Sequence, residues 1–156
     1  MQRIYIDSSI LIDRITGSAP ERQNANQILI KIKKQYNERY IPQTVIGEVF
    51  IKILEKSRDV STDTKTFVEL IQDMINIRTQ SPTLRRDVLS VALEIQAEDE
   101  HKIGYCDAIL VSHAICSDSD CCVFIIDAPL HRSHKIITKL NECKSSGHIV
   151  KLIDSV

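Results

Sequence analysis

The sequence predicts an α/β protein whose parallel sheet is covered by helices on both faces. Two observations lead there. Short apolar runs of strand character alternate along the chain with longer stretches of helical periodicity, the pattern of parallel strands joined by helical crossovers. The run CCVFII at 121–126 is apolar at every position, as a strand buried on both faces must be. With only four Gly and four Pro, long irregular segments are not expected.

The elements follow in order. RIYID at 3–7 is a short strand, with Ile4 and Ile6 alternating around Tyr5. SSILIDRI and ERQNANQILIKIKKQYN are helices; in the second, Ile28, Ile32 and Tyr36 share a face that Lys31, Lys33 and Lys34 mostly avoid. RYIPQT holds a short strand ended by Pro42. TVIGEVFIKILEKSR then spaces Ile46, Val49, Phe50 and Ile53 as one apolar helical face. DTKTFVELIQDMI repeats the pattern with Phe67, Leu70, Ile71 and Met74, and INIRT at 75–79 suggests a further strand. A long helix is expected over 81–101, opened by Ser81 as cap and Pro82 at its first position. After Gly104 comes the helix YCDAILVSHAICS, the buried strand at 121–127, the helix SHKIITKLNECK and a last strand, HIVKLI.

At 156 residues, 43% hydrophobic and 26% charged, the chain is expected to form one domain, 1–156, with a sizeable core. Three Phe, four Tyr and no Trp leave that core to Ile, Leu and Val. They also leave little for a platform that stacks single-stranded bases. A net charge of −1 gives no global basic footprint for nucleic acid. An acidic pocket filled by divalent ions would invert its local field, so a nuclease remains open. Five Cys, no C-x-x-C spacing and no signal-like stretch point to a reducing cytoplasm, and no apolar run reaches the length of a membrane span. The five His and five Cys lack the tight pairs of structural zinc sites.

Four acids stand out by position. Asp7 and Asp127 fall at the carboxyl ends of expected strands, where open parallel sheets bind ligands. Glu48 lies in the first turns of its helix and Asp107 at the start of DAILVSHA. Carboxylates gathered in one cleft repel unless cations intervene, and hard divalent ions with oxygen ligands supply that compensation. Such ions activate water and stabilise the attacking and leaving oxygens of a phosphodiester. Taken singly, each acid has a plainer role: Asp7 as helix cap, Glu48 and Asp107 as helix-start acids, Asp127 as a turn residue before Pro129.

Together these stretches resemble the PIN domain, and within it the VapC-like toxin ribonucleases of toxin–antitoxin pairs. YIDSSILID is similar to the family's opening strand, TVIGEVF to its helix-borne Glu, YCDAILVSHA to its third motif and VFIIDAPLHRS to its fourth. The resemblance implies a five-stranded parallel sheet in a three-layer α/β/α fold, a Mg²⁺ or Mn²⁺ site and ribonuclease activity. By it, Asp7, Glu48, Asp107 and Asp127 are the metal-binding and catalytic acids, and Ser9 supports Asp7. It implies RNA as substrate, a cognate antitoxin and a homodimer. One departure bears on Asp127: Ile125 stands where the family often has Thr or Ser. Asp118 and Asp120 are weaker rivals for that role.

HRSHK at 131–135 follows Asp127, so His131, Arg132 and His134 are candidates for contacts to substrate phosphate. Asp13, the Lys31–Lys34 cluster, Arg85 and Arg86 are read as solvated helix faces. Two other function classes compete. One is a catalytically silent PIN-like module that binds RNA or protein, to which Ile125 gives some room. The other is a phosphoacceptor or aspartyl-phosphate domain, which would want paired acids where this chain has Asp7-Ser8-Ser9.

Overall fold

The computed structural model describes residues 3–74, 82–99 and 102–156. Four parallel strands form its sheet: β1 (Arg3–Ile6), β2 (Glu38–Tyr40), β3 (Cys121–Phe124) and β4 (Val150–Ile153). Their order is β2-β1-β3-β4, with Tyr5 opposite both Tyr40 and Val123. The expected α/β class holds. Four strands are present among the described residues where the resemblance implied five; the expected strand at 75–79 lies outside them. All four residues of β3 are buried, which is why its sequence carries no polar alternation.

Helices α1 (Ser8–Thr16) and α2 (Ala19–Gln35) join β1 to β2. Ser18 and Glu21 form a capping box at the start of α2, and Pro20 sits in its first turn, where a missing N–H costs nothing. α2 buries Ala25, Leu29 and Ile32, while Ile28 and Tyr36 are half-buried at its margin. Next come α3 (Gln43–Lys56) and α4 (Val60–Met74). The apolar stripes of these two meet at Phe50 and Phe67, whose rings stand edge to face at 5.1 Å. Phe67 is fully buried. Phe67→Ala is expected to lose about 3–5 kcal/mol of stability, read from urea unfolding.

The helix expected over 81–101 is shorter. α5 spans Arg86–Glu98, and Pro82 precedes it by a turn's length. The Pro82 carbonyl instead accepts the Gln43 N–H at 3.2 Å, helping to satisfy the start of α3. Arg85 closes the connector by gripping the Asp87 carboxylate through Nε and Nη2 and donating to the Cys116 carbonyl at 3.0 Å. Arg85 remains exposed, as expected of a solvated face, while making these bonds. Ser81 and His101, the expected ends, lie outside the described residues.

α6 (Tyr105–Ile115) runs through the core, with every residue from Ala108 to Ala114 buried. After β3 comes a short helix that periodicity did not show, α7 (Ala128–Arg132). Ser133 then caps α8 (His134–Ser145), accepting the Ile136 N–H at 3.1 Å. Strand β4 completes the sheet. Its Ile153 carbonyl takes the Ile125 N–H, so pairing runs one residue beyond β3, toward Asp127. The loops carrying Asp7 and Asp127 therefore leave neighbouring strands at the same sheet end.

Candidate active site

Asp7 leaves β1 and serves as the N-cap of α1. Its Oδ1 accepts the Ser8 N–H at 2.6 Å, and its Oδ2 accepts the Ser9 N–H at 3.3 Å and the Ser9 hydroxyl. Its own N–H donates to the Phe124 carbonyl of β3 at 3.2 Å. The side chain is 5% exposed. Asp7 is thus at once a helix cap and a cleft residue, and Ser9, the residue that the resemblance pairs with it, bonds its carboxylate.

Glu48 projects from the second turn of α3, half-buried, and its Oε2 is shut off from solvent with no hydrogen-bond partner. Asp107 is the third residue of α6, half-buried near that helix's positive end. Asp127 is exposed and occupies the N-cap position of α7. All four line one cleft of about 450 Å³, with Ser8, Ser9, Ile12, Ile126 and Ala128.

The cleft's electrostatics follow from this crowding. Burial, then the charges of Asp7, Glu48 and Asp127, push the Asp107 carboxyl up to about 7. Burial also raises Asp7, opposed by its bonds to Ser9 and Ser8 and reinforced by Glu48. The neighbouring Cys106 thiol is pushed up to about 11 by burial and by Glu48, Asp107 and Asp7. Four acids that sequence separates by up to 120 positions therefore share one field.

Among the described residues, no three His, Cys, Asp or Glu side chains stand close enough to form a ready ligand set for a metal ion. The donor chemistry nonetheless suits one. The cleft offers carboxylate oxygens, which match hard Mg²⁺ or Mn²⁺. Glu48 Oε2 is a desolvated acceptor with its bonding capacity unmet, a costly state that a cation relieves.

Other candidates lie elsewhere. His131, Arg132 and His134 do not line the cleft. The His131 ring bonds the Ile125 carbonyl through Nε2 at 2.9 Å, and Arg132 and His134 are exposed. Asp120 accepts the Ile149 N–H at 2.7 Å, a structural task, and Asp118 is exposed outside the cleft. A larger cleft of about 530 Å³ at the far ends of α1 and α3 is lined by Arg22, Lys56, Arg58, Asp59 and Asp63. Its acids serve their own loop: Asp59 caps α4 through Thr62, and Asp63 accepts the Ser57 hydroxyl. Sequence reasoning gave no role to Cys106 and Gly104, which border Asp107 at the start of α6.

A parallel sheet with a cluster of acids at its carboxyl edge defines an α/β protein of acidic-cleft type. The chain belongs to the PIN domain family, whose model matches residues 4–122. That span takes in Asp7, Glu48 and Asp107 and stops short of Asp127. PIN domains are generally nucleases, and those nucleases generally use divalent metals. Among solved structures, the chain is similar to a chain in the crystal structure of VapBC2 from Rickettsia felis bound to a DNA fragment from their promoter. The identity is 15%, the TM-score 0.59, and the match covers 97% of this chain and 99% of that one, a likeness of fold. No curated protein matches.

Proposed function

We propose that the chain is a metal-dependent endoribonuclease that hydrolyses RNA phosphodiester bonds. The observation that carries the reading is the convergence of Asp7, Glu48, Asp107 and Asp127 on one cleft, where burial and then the other three charges raise the proton affinity of Asp107. Carboxylates that share a buried cleft favour a positive partner, and the general use of divalent metals by nucleases of the family supports a divalent cation. Asp7, Glu48 and Asp107 would hold Mg²⁺ or Mn²⁺, and Asp127 would complete the acidic set from the exposed rim. When bound, the ion supplies Lewis acidity toward the phosphodiester and a water of lowered pKa.

The chain's own residues do the rest. Ser9 and the Ser8 N–H fix the rotamer of Asp7, so its carboxylate is oriented before any ligand arrives. Ile12 and Ile126 flank the acids with apolar surface, which strengthens every charge interaction between them. The 156 residues act as one such domain, in the cytoplasm, as a homodimer and as the toxin held in check by a cognate antitoxin. The likeness to a chain of VapBC2 supports that partner class.

A second reading, a silent PIN-like module that binds RNA or protein, draws on the lack of a ready three-ligand group among the described residues. One experiment separates them: purified protein is incubated with a panel of fluorescent RNAs in Mn²⁺, Mg²⁺ or EDTA, beside an Asp7→Asn, Asp107→Asn double variant. Cleavage that needs metal and is lost in the variant is the expected result. Silence of both proteins across the panel favours the module, and equal cleavage by both removes support for the acidic site.

A further inference from the structure

Gly104 occupies the N-cap of α6, a position that favours Ser, Thr, Asn, Asp and Gly, and here no side-chain cap bond is made. Its backbone does not demand glycine, since φ −60° and ψ 146° are open to any residue. Gly17 and Gly147 differ: a Cβ on Gly17 would strike the Asp13 carbonyl oxygen at 2.4 Å, and Gly147 has φ +98°. Among the described residues, a Cβ on Gly104 would meet the Asp107 carboxylate, with Oδ2 at 2.9 Å and Cγ at 3.6 Å. Asp107 is the third residue of α6, from which an acidic side chain folds back over the cap.

We propose that Gly104 is a positioning residue of the acidic cleft: its missing side chain leaves the space in which the Asp107 carboxylate is held. The inference rests on the reading of Asp107 as a metal-binding acid. The cap backbone is anchored, because the Gly104 carbonyl accepts the Ala108 N–H at 2.9 Å. A new Cβ therefore displaces the carboxylate rather than the chain. Reaching ordinary contact takes about half an ångström, or a change of rotamer. Metal–ligand distances in well-formed sites fall within about 0.2 Å of their usual values. The same vacancy gives up the helix cap that a serine would provide.

The test uses Gly104→Ser and Gly104→Ala in the full chain, with Mn²⁺ affinity by calorimetry and thermal unfolding in EDTA. Serine is a good cap, so Gly104→Ser is expected to unfold at the same or a higher temperature while binding Mn²⁺ about tenfold more weakly. Gly104→Ala carries the same Cβ without a hydroxyl and is expected to weaken Mn²⁺ similarly. In an Asp107→Asn background, neither change should weaken Mn²⁺ further, because the effect passes through that carboxylate. Unchanged affinity in both variants overturns the proposal, as does an equal loss in the Asp107→Asn background. If Asp107→Asn alone leaves Mn²⁺ binding intact, the assignment of Asp107 itself has failed, and the role of Gly104 falls with it.

Discussion

Asp7→Asn is expected to lower metal-dependent RNA cleavage by about a hundredfold or more while raising the melting temperature of the protein in EDTA. The two effects have one cause. Asp7 is buried beside Glu48, and both burial and that charge disfavour its ionised form. Asparagine keeps the shape and one acceptor oxygen for the Ser8 or the Ser9 N–H, while its NH2 can donate to the Ser9 hydroxyl, so α1 keeps a cap with one acceptor bond fewer. It removes the charge that makes the cleft costly without metal and useful with it. A gain of about 1 kcal/mol would appear as roughly 2–4 °C for a chain of this size. Asp7→Ala is the control, since it loses the cap as well and should melt lower than Asp7→Asn by the worth of that cap, about 1 kcal/mol. Cleavage assays in Mn²⁺ and thermal melts in EDTA at pH 8 check both halves. A purely structural Asp7 would make activity and stability fall together.

Much of the candidate cleft was legible because Asp7 and Asp127 follow strands and Asp107 opens a helix, with Glu48 only a turn further into its own. Such ends are local features: an apolar run stops, a carboxylate follows, a helical period begins. Asp7 shows how far such reading goes. Helix cap and metal ligand looked like alternatives in the sequence, whereas the structure gives Asp7 the cap and a place in the cleft with the same two oxygens. What escaped depends on contacts between distant segments. The Pro82 carbonyl serves Gln43, so the proline that looked like a helix start belongs to a connector. His131 bonds the Ile125 carbonyl, a partner that no periodicity encodes. The short α7 has a single buried residue, Leu130, too little apolar repetition to announce a helix. Gly104 matters through a space, which is legible only once Asp107 has a position.

Metal affinity should fall about a hundredfold between pH 7 and pH 5, and Asp107 is the main reason. Its folded-state pKa of about 7 lies far above the roughly 3.9 of an unfolded aspartate. The metal must displace that proton, so below pH 7 each unit of acid weakens binding about tenfold, and above it affinity levels off. Stability without metal runs the other way. The folded protein keeps the Asp107 proton after the unfolded chain has released it. The contribution is therefore complete below about pH 4, drains as pH rises to 7 and is gone above. Other acids pull oppositely at the low end: Asp59 and Asp87, held below the usual carboxylate range by Thr62 and Arg85, stabilise only while ionised. The Asp107 part is isolated as the difference in melting temperature between the wild type and Asp107→Asn in EDTA from pH 4 to 8. That difference should move steadily against the wild type up to pH 7 and then stay flat. Calorimetric Mn²⁺ titrations in two buffers of different ionisation enthalpy supply the second measurement. About one proton should be released per ion at pH 5 to 6 and almost none at pH 8. Binding that releases no proton at acid pH would mean that Asp107 is not the group the metal engages.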